Sequence, residues 1–374
     1  MNTSASIPNS DAFQPVQTQT WMNGRHVMRC VRVIDETWDV KTFVFAAEQP
    51  LMFFFKPGQF VTLELEIEGE QVMRSYTISS SPSVPCSFSL TIKKLPGGQV
   101  SSWMHDHMNQ GDELIVHGPV GRFNVIDYPA DKYLFLSGGV GITPLMSMAR
   151  WLFDTNSDNN IVFAHSARTP RDFIYRRELE HMDSRVDNLT LHAIVERVDI
   201  GQTWNGYRGF IDRDKLALMC PDVLDREVFC CGPEPYMRAV REILQSVGFD
   251  MRRYHEESFG EIPAVAEEQA LEQAETAQEE HEALEVSDLL SVEFTGSGKS
   301  VRIAPGETIH AAATKLGLHI PKACGMGICG TCRVHLAVGE VSMEHNGGIT
   351  DDEIAAGDVL SCCSVPVGDV SVEF

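Results

Sequence analysis

The stretch Cys324-Gly325-Met326-Gly327-Ile328-Cys329-Gly330-Thr331-Cys332 decides the fold of the C-terminal part of this chain. Its three cysteines have the spacing C-x4-C-x2-C, and two further cysteines, Cys362 and Cys363, follow later in the chain. Several thiolates that converge on one inorganic centre need a loop that turns tightly around it. Glycines between the cysteines permit such turns, because glycine adopts backbone conformations that other residues avoid. The stretch therefore predicts a metal-binding loop.

The spacing of these cysteines is typical of a [2Fe-2S] cluster held by four thiolates. Zinc sites usually contain two C-x2-C pairs, whereas only Cys329 and Cys332 form such a pair within this loop. The ligands predicted from spacing are Cys324, Cys329, Cys332 and one member of the adjacent pair Cys362 and Cys363. If that pair lies in an extended segment, its side chains point in opposite directions, so only one of them can bind.

The composition limits the class of protein and its compartment. The chain has 374 residues, of which 43% are hydrophobic, which is enough for two or three globular domains. Its formal net charge of -23 argues against nucleic acid or an anionic membrane as a partner, because both are recognised by clustered Lys and Arg. No apolar run approaches the roughly 18 residues of a transmembrane helix. The chain has ten cysteines and no secretion signal, so we expect a protein of the reducing cytoplasm.

From about Trp21 to Tyr128, short strand-like runs are separated by Gly and Pro. Frequent strands of this kind predict a small antiparallel β-barrel. Within it, the run Arg74-Ser75-Tyr76-Thr77-Ile78-Ser79-Ser80 carries many hydrogen-bonding side chains. Alternation along a strand places Arg74 and Tyr76 on one face, where a guanidinium can bind phosphate and a ring can lie on a flat heterocycle. Ordinary surface packing is the alternative for these two residues.

A second glycine turn, Gly97-Gly98-Gln99-Val100-Ser101, precedes a predicted helix. Ser101 suits the N-cap position, and the free N–H groups at a helix start attract anions. The turn therefore predicts either an anion site or a surface helix with an ordinary cap.

From about Ala130 to Tyr254, apolar strands alternate with helical segments, which predicts an α/β domain with a parallel sheet. One strand runs into Ser137-Gly138-Gly139-Val140-Gly141-Ile142-Thr143-Pro144. We expect Thr143 at the N-cap and Pro144 at the first helical position, so that the turn and the helix start face a pyrophosphate. Another apolar strand ends at Cys231-Gly232-Pro233, and ligands bind at the carboxyl ends of parallel strands.

The segment before the cysteine loop changes in composition. Between Tyr254 and Gly298 the chain contains no Lys or Arg, whereas Glu and Gln are abundant, which predicts an acidic linker. Further on, Gly296-Ser297-Gly298-Lys299 is similar to the end of a phosphate-binding loop, but the first glycine of that motif would fall on Glu293. A hairpin turn is therefore expected there.

Taken together, these motifs resemble the ferredoxin-NAD(P)+ reductase superfamily fused to a C-terminal plant-type ferredoxin domain. The resemblance rests on the strand at Arg74, the turn at Gly98, the turn at Gly138, the strand end at Cys231 and the cluster cysteines. The resulting prediction is a multidomain protein with a disordered tail (1–20), an FAD-binding β-barrel domain (21–128), an NAD(P)-binding α/β domain with a parallel sheet (129–262), an acidic linker (263–286) and an α+β (β-grasp) [2Fe-2S] ferredoxin domain (287–374).

The resemblance assigns roles to residues of the flavin site. It implies that Arg74 holds a flavin phosphate, that Tyr76 stacks on the isoalloxazine ring and that Thr77 bonds near its reactive nitrogen. Ser75 lies in the same flavin-binding strand, and Phe259 belongs to the segment Glu256–Phe259 that closes the site. The pyrophosphate site implied by the resemblance, which favours FAD over FMN, consists of Gly98, Val100 and Ser101.

For the nicotinamide nucleotide, the resemblance implies a site with Cys231 beside the nicotinamide ring. The other residues implied at this site are Gly138, Gly139, Gly141, Thr143, Gly232 and Pro233. Ser166 and Arg168 could accept a 2′-phosphate, yet NADH is commoner in fused reductases, so we expect NADH and keep NADPH as the alternative. Tyr76, Thr77 and Cys231 are the predicted catalytic residues. Family spacing, with 29 residues between Cys332 and the last ligand, favours Cys362 as that ligand.

The function implied by the resemblance is electron transfer from NADH through FAD and the [2Fe-2S] cluster to a partner protein. The first hypothesis is the reductase component of a Rieske-type monooxygenase that acts on a quaternary amine such as glycine betaine. The second is the NADH reductase of the hybrid-cluster protein, and the third is a non-catalytic iron-sulfur redox sensor. No catalytic triad and no paired carboxylates stand out in the sequence, so a hydrolase has no support.

Overall fold

The computed structural model describes residues 19–21, 23–49, 51–259, 289–318, 320, 327, 330, 332–345, 348–349 and 351–374. The described chain forms two compact units, one that ends at Phe259 and one that contains the residues from 289 onward. The predicted linker at 263–286 lies outside the described residues. So does the predicted tail, apart from Gln19–Thr20, which form a short strand.

The first part of the larger unit is an antiparallel β-barrel, as predicted. Its elements are β1 (Gln19–Thr20), β2 (Gly24–Asp35), β3 (Val40–Ala46), β4 (Leu51–Met52), β5 (Phe60–Ile67), β6 (Glu70–Thr77), β7 (Phe88–Lys93), α1 (Gln99–His107) and β8 (Glu113–Val120). Six strands form one sheet in the order β6-β5-β8-β2-β3-β7, and the short β1 and β4 pair separately.

The two edges of this sheet meet directly after β6. Ile78 forms an antiparallel bridge with Leu90 of β7, and the backbone N–H of Ser79 donates to the carbonyl oxygen of Ser89 at 2.8 Å. The sheet therefore curls around an apolar interior. The largest side chains of that interior include Trp21, Met28, Phe43, Phe45, Phe53 and Phe88.

The second part of the larger unit is an α/β domain. Its elements are β9 (Lys132–Gly138), α2 (Ile142–Asp154), β10 (Asn160–Ala167), α3 (Arg176–Arg185), β11 (Leu189–Val195), β12 (Tyr207–Arg208), α4 (Arg213–Met219), β13 (Glu227–Cys231), α5 (Glu234–Ser246) and β14 (Tyr254–Glu257). The strands pair in parallel in the order β12-β11-β10-β9-β13-β14, which confirms the predicted parallel sheet.

Alternation along β9 shows why both faces of this sheet are covered. Tyr133 and Phe135 belong to the core that contains α2 and α3, whereas Leu134 and Leu136 belong to the core that contains α4 and α5. A strand buried on both faces has a continuous apolar sequence, which is the pattern of β9.

Two helix starts differ from the prediction. Helix α1 has Gly98 as its N-cap, so Ser101 is the third helical residue and not the cap. Helix α2 has Gly141 as its N-cap, so Thr143 and Pro144 are its second and third residues. The reason at α2 is a 3-10 turn at Gly139–Gly141, which extends the helical conformation upstream of Thr143.

The smaller unit has the predicted α+β architecture. Its elements are β15 (Leu290–Phe294), β16 (Lys299–Ile303), α6 (Ile309–Lys315), β17 (Arg333–Val338), β18 (Val341–Met343), α7 (Asp351–Ala355), β19 (Asp358–Leu360), β20 (Ser364–Pro366) and β21 (Val370–Glu373). A mixed sheet has the order β16-β15-β21-β17-β19, and β18 pairs with β20. Helix α6 packs on this sheet through Ile309, Ala312 and Ala313, and the expected hairpin turn connects β15 with β16.

Helices are short throughout the described part of the chain. The longest, α2 and α5, have 13 residues each. Within the described ranges, no helix is long and apolar enough to cross a membrane.

Candidate functional site

The crevice at the carboxyl ends of the parallel strands brings together residues predicted from three separate stretches. Gly138, the last residue of β9, is the register partner of Ser166 in β10. Its neighbour Ser137 is the partner of Cys231, which ends β13. Because these strands run parallel, their carboxyl ends open on one edge of the sheet, where ligands of such folds bind.

Two glycines of this crevice lie where a side chain would meet close neighbours. A Cβ atom on Gly141 would lie 2.4 Å from the carbonyl oxygen of Cys231. A Cβ atom on Gly138 would lie 3.2 Å from Pro233 and from the ring of Tyr236. At Gly141 the turn therefore packs backbone against backbone, and the dipole of a helix that starts at such a turn attracts phosphate oxygens. This arrangement fits the pyrophosphate of a dinucleotide.

The remaining residues predicted for the glycine turn also lie at this edge. Gly139 has a φ of 55°, a left-handed conformation that glycine adopts without a steric penalty. The hydroxyl of Thr143 donates to the carbonyl oxygen of Val140 at 3.2 Å and so fixes the first turn of α2. Gly232 faces the Tyr236 ring, which would lie 2.9 Å from a Cβ atom there.

Two hydroxyl groups in the crevice are buried without a good hydrogen bond. Neither the Ser166 Oγ nor the Tyr236 hydroxyl has a partner of adequate geometry among the described residues. Burial raises the pKa of Tyr236 well above its usual value, an effect that the nearby Ser166 hydroxyl partly offsets. A buried hydroxyl without a partner costs about 1–3 kcal/mol, which a bound polar ligand would recover. Both hydroxyl groups are therefore suited to bind ribose or phosphate oxygens of a nucleotide. Arg168, the other residue predicted at this part of the nucleotide site, lies exposed just beyond β10.

The predicted catalytic residues Thr77 and Cys231 meet at a third residue, Glu257. The hydroxyl of Thr77, at the end of β6, donates to the Oε2 atom of Glu257 at 3.3 Å. Glu257, at the end of β14, is the register partner of Cys231 on β13. The end of β6 in the barrel thus contacts the crevice at the carboxyl ends of β13 and β14, which we call the β13–β14 corner.

Burial controls the protonation of both ionisable groups at this corner. It raises the pKa of Glu257 to about 8, against a smaller opposite effect of the hydrogen bond from Thr77. It also raises the pKa of Cys231 well above its usual value, and the neighbouring Glu257 adds to this effect. Both groups are therefore mainly neutral at pH 7, and Cys231 is not a thiolate nucleophile.

The flavin-binding strand predicted from the sequence is β6. Its residues Arg74, Ser75 and Tyr76 are half-buried, and Tyr76 packs partly against the barrel core. Thr77 is buried at the end of the strand. Phe259, predicted to close the flavin site, lies two residues after β14 with 38% of its surface exposed. Aromatic surface exposed two residues after Glu257 is of the kind that packs against a flat heterocyclic ligand.

The predicted pyrophosphate turn at Gly98 is held by the side chain of Ser101. The Ser101 Oγ accepts from the Leu95 backbone N–H at 3.2 Å and donates to the Gly98 carbonyl oxygen at 3.3 Å. Val100 and Ser101 are both buried. The Ser101 hydroxyl therefore shapes the turn, and an anion would be bound there by backbone N–H groups of α1.

In the smaller unit, sheet pairing brings two predicted cluster ligands close together. Cys332 precedes β17, and the backbone N–H of Ser361 donates to its carbonyl oxygen at 3.0 Å. Cys362 follows Ser361 directly. Cys324 and Cys329 lie outside the described residues, so the predicted ligand set is only half described. Within the described ranges, no group of three or more His, Cys, Asp or Glu side chains is arranged to hold a metal ion.

The pair Cys362 and Cys363 lies in a turn and not in an extended segment. The Cys363 backbone N–H donates to the Leu360 carbonyl oxygen at 3.1 Å, which bends the chain after β19. The condition under which strand alternation would point the two thiols in opposite directions is therefore not met. The Cys363 Sγ lies 2.6 Å from the Cβ position of Gly327, so this thiol packs against the backbone of the cysteine loop.

The described glycines of the cysteine loop fit a tight metal-binding turn. Gly327 and Gly330 have φ values of 66° and 71°, which favour glycine. A Cβ atom on Gly330 would lie 2.7 Å from the carbonyl oxygen of Gly348, and one on Gly327 would lie 2.9 Å from the Cα of His345. His345 and Gly348 therefore lie close to Gly327 and Gly330, the two described glycines of this loop.

Sequence reasoning did not identify two residues of the candidate site. The sequence indicates Glu257 only as a member of the segment Glu256–Phe259, and no motif points to Tyr236. Glu257 could have been found by pairing β14 with β13, because its register places it beside Cys231. Tyr236 has a weaker signal, an aromatic residue in the first turn of the helix that follows Cys231-Gly232-Pro233.

Three family models match the chain in the order of its domains. They are the oxidoreductase FAD-binding domain at residues 27–125, the oxidoreductase NAD-binding domain at residues 135–242 and the 2Fe-2S iron-sulfur cluster binding domain at residues 292–367. These matches confirm the predicted cofactor classes: FAD, a nicotinamide nucleotide and a 2Fe-2S cluster.

Several relatives match this chain over nearly its whole length and over nearly the whole of their own. The glycine betaine monooxygenase reductase subunit of Pseudomonas aeruginosa (strain UCBPP-PA14) is 65% identical over 366 residues, which cover 98% of this chain and 100% of that protein. NADH oxidoreductase HCR of Escherichia coli (strain K12) is 29% identical over 92% of this chain and 96% of its own. The solved structure of phthalate dioxygenase reductase has a TM-score of 0.58 at 21% identity, covers 94% of this chain and 98% of its own, and supports the fold alone.

Proposed function

Because this chain belongs to the family of FAD- and NAD-binding reductases with a C-terminal 2Fe-2S domain, which includes glycine betaine monooxygenase reductase subunits, we propose that it is the reductase subunit of a glycine betaine monooxygenase. The observation that carries the proposal is the 65% identity to the Pseudomonas aeruginosa subunit, which extends over all three domains. The partner is then an oxygenase protein, and the cysteine content suits a cytoplasmic enzyme.

When bound, FAD supplies hydride acceptance from NADH, and the [2Fe-2S] cluster supplies one-electron transfer towards the oxygenase. The chain itself binds and orients the reactants. The turn at Gly138–Gly141 and the start of α2 hold the pyrophosphate of NADH. The hydroxyls of Ser166 and Tyr236 bind ribose or phosphate oxygens, since both are buried without a good internal partner.

At the corner where the barrel meets the sheet, Glu257 holds a proton on its carboxyl group and Thr77 orients that group. Cys231 contributes an uncharged thiol beside it. A thiolate or a carboxylate here would place negative charge where a hydride must arrive, which would raise the barrier to transfer. The three residues therefore keep this corner polar and free of net charge near pH 7.

For the other site residues, the proposal keeps the assignments made from the resemblance. Arg74, Ser75 and Tyr76 on β6 bind the flavin, with Gly98, Val100 and Ser101 at its pyrophosphate and Phe259 over its ring. Arg168 is exposed near Ser166 and is the residue that a 2′-phosphate would reach, which keeps NADPH as the alternative. NADH is the proposed donor, because it is commoner in fused reductases. The cluster ligands are Cys324, Cys329, Cys332 and Cys362.

Coupled turnover with purified oxygenase tests the proposal. The purified protein is mixed with NADH and the oxygenase subunit of a glycine betaine monooxygenase, and NADH oxidation is followed with and without glycine betaine. We expect consumption of NADH that depends on both the oxygenase and glycine betaine. NADH oxidation that glycine betaine leaves unchanged, in the presence of active oxygenase, would contradict the proposal.

The second candidate is an NADH reductase of the hybrid-cluster protein, supported by the similarity to NADH oxidoreductase HCR. It is tested in the same assay by replacing the oxygenase with hybrid-cluster protein, which should then accelerate NADH oxidation. Ferricyanide as an artificial acceptor separates both enzymes from a redox sensor, because a sensor would not reduce it rapidly with NADH.

A further inference from the structure

We infer that Ser147 and Arg150, on helix α2, are positioning residues that hold the nucleotide crevice in register with the flavin-binding strand. The inference rests on the proposed function, because it concerns the geometry of hydride transfer between NADH and FAD. It assigns to these two residues a role in the rate of that transfer and not only in the stability of the fold.

The contact of Ser147 joins α2 to the barrel directly. Ser147 is fully buried, and its Oγ donates to the carbonyl oxygen of Ser80 at 2.7 Å. Ser80 lies three residues after Thr77, in the segment that follows β6. A polar residue between Met146 and Met148 in a buried helix is costly unless its hydroxyl is bonded, and this bond reaches the neighbouring domain.

Arg150 makes a second contact one turn further along the helix. Its Nη1 donates to the carbonyl oxygen of Ser79, so two consecutive barrel carbonyls are bound by the same helix face. Its Nε and Nη2 donate to the two carboxylate oxygens of Glu178, each at 2.7 Å. This bidentate pair fixes the guanidinium in one orientation, since the planar fork of Arg matches a carboxylate.

Tyr175 extends the same contact towards β7. The guanidinium carbon of Arg150 lies 4.6 Å from the centre of the Tyr175 ring. The Tyr175 hydroxyl in turn hydrogen-bonds to the Oγ1 of Thr91 in β7. Arg150 therefore holds the barrel both directly, at Ser79, and through the tyrosine that it stacks on.

The barrel segment that receives these bonds is itself fixed. The Ser79 backbone N–H donates to Ser89 O at 2.8 Å, and the Ser89 backbone N–H donates to the Ser80 Oγ at 3.0 Å. The Ser79 Oγ also hydrogen-bonds to Thr91 at 2.9 Å. Ser79 and Ser80 are held by hydrogen bonds to β7. A displacement of α2 would therefore also displace the strand end at Thr77.

Distances along the two elements show how short this connection is. With a rise of 1.5 Å per residue, Ser147 lies about 8 Å along α2 from its first residue, Ile142. With about 3.3 Å per residue in an extended chain, Ser80 lies at most about 10 Å from Thr77. The hydrogen bonds from Ser147 and Arg150 therefore connect the two predicted cofactor sites through short, rigid segments. Reacting atoms must approach within about 3–3.5 Å, and an error of about 1 Å can cost 100-fold in rate.

The alternative is that Ser147 and Arg150 only add stability. Both readings predict a lower unfolding temperature when the contacts are lost, so stability alone cannot separate them. A positioning role also predicts slower hydride transfer at saturating NADH with unchanged NADH affinity, because the crevice itself remains intact. The absorption band of the complex between oxidised nicotinamide and reduced flavin reports the same geometry without turnover.

The test uses the full-length holoenzyme and the variant Ser147→Ala, which removes a single hydroxyl. Flavin reduction by NADH is followed anaerobically by stopped flow, and NAD+ is titrated into the reduced enzyme to record the long-wavelength band. We expect the limiting rate to fall about 10-fold and the band to weaken, with the NADH dissociation constant changed by no more than about twofold. Ser246→Ala is the matched control, since the Ser246 hydroxyl donates only within α5, to Ile243 O.

Arg150→Lys and Glu178→Gln separate the contact with the barrel from the contact within the α/β domain. Arg150→Lys keeps the charge but loses the fixed fork, so it should slow the limiting rate as Ser147→Ala does. Glu178→Gln weakens only the ion pair between Arg150 and α3. It should therefore lower the unfolding temperature while the limiting rate changes little. If Ser147→Ala and Arg150→Lys both keep the wild-type limiting rate and band, the inference is overturned, whatever their stability. If NADH fails to reduce the wild-type flavin, the proposed function is what fails.

Discussion

The hydroxyl of Thr77 lies 3.3 Å from the Oε2 atom of Glu257, although 180 residues separate them in the sequence. Thr77 ends the strand predicted to bind flavin, and Glu257 ends the last strand of the parallel sheet. Since Glu257 is also the register partner of Cys231, one hydrogen bond joins the flavin strand to the nucleotide crevice. This bond and the bonds from Ser147 and Arg150 of α2 are among the contacts through which the barrel meets the α/β domain.

The pH dependence of stability should reveal the buried carboxyl of Glu257. Its pKa is raised from about 4.5 to about 8, so between these values the folded protein binds a proton that the unfolded chain has lost. The contribution of Glu257 to stability is therefore fully present below about pH 4.5 and is lost as the pH rises to about 8. Glu257→Gln stays neutral, so its stability relative to wild type should rise across this window and level off above it.

Thermal unfolding of both proteins at pH 5, 6, 7, 8 and 9 measures this difference. Subtracting the two curves removes the groups that titrate in both proteins. Glu256→Gln is a suitable control, because Glu256, at the adjacent position, forms a partly exposed ion pair with Arg241. If the difference in unfolding temperature between wild type and Glu257→Gln stays constant from pH 5 to pH 9, Glu257 has an ordinary pKa in the folded protein.

Gly141→Ala should damage the nucleotide crevice through steric overlap alone. The φ of Gly141 is -61°, which alanine adopts freely, but the new Cβ would lie 2.4 Å from the carbonyl oxygen of Cys231. Overpacking of this kind costs about 1–3 kcal/mol, and relief by separating α2 from β13 would distort the turn. We expect a lower unfolding temperature and NADH binding weakened by at least about 10-fold, measured by titration calorimetry.

Gly368→Ala is the control for this prediction. Gly368 has no atom within 4 Å of its Cβ position and no positive φ, so alanine should be neutral there. Equal NADH affinity in Gly141→Ala and Gly368→Ala would mean that the turn at Gly138–Gly141 does not form the nucleotide site.

The sequence predicted the architecture well because its signals are local. Strand alternation, the glycine turn after β9 and the continuous apolar run of β9 each lie within a few residues, and the barrel, the parallel sheet and the mixed sheet follow from them. The predicted helix caps at Ser101 and Thr143 are wrong, since Gly98 and Gly141, three and two residues upstream, take the cap positions. Glu257 and Tyr236 were missed because their significance comes from pairing and packing between distant segments.

The adjacent thiols at Cys362 and Cys363 should behave differently on substitution. Cys362→Ser should abolish the visible and EPR signals of the [2Fe-2S] cluster, because family spacing makes Cys362 the fourth ligand. Cys363→Ser should keep these signals with a small shift, since its Sγ packs against the loop at Gly327. The two variants, purified in parallel with iron and sulfide quantified, provide the measurement. Loss of the cluster in Cys363→Ser alone would transfer the ligand role to Cys363.

Tyr236→Phe should change stability and NADH affinity in opposite directions. The Tyr236 hydroxyl is buried without a good partner in the described part of the chain, so its removal relieves a desolvation penalty. We expect the nucleotide-free protein to gain about 1 kcal/mol in free energy of unfolding. If the hydroxyl binds a ribose or phosphate oxygen, NADH affinity should fall about fivefold through the lost hydrogen bond.

Tyr254→Phe is the matched control, because the Tyr254 hydroxyl donates to the Oε2 atom of Glu256 at 2.8 Å. Loss of that satisfied bond should lower stability and leave NADH affinity unchanged. Denaturant unfolding of the nucleotide-free proteins and NADH titration of the holoenzymes give both quantities for each variant. If Tyr236→Phe is destabilised like Tyr254→Phe and binds NADH as wild type does, the Tyr236 hydroxyl serves the fold and not the nucleotide. A gain in stability together with weaker NADH binding would place that hydroxyl in the nucleotide site, because only a group left without a partner in the free protein responds in this way.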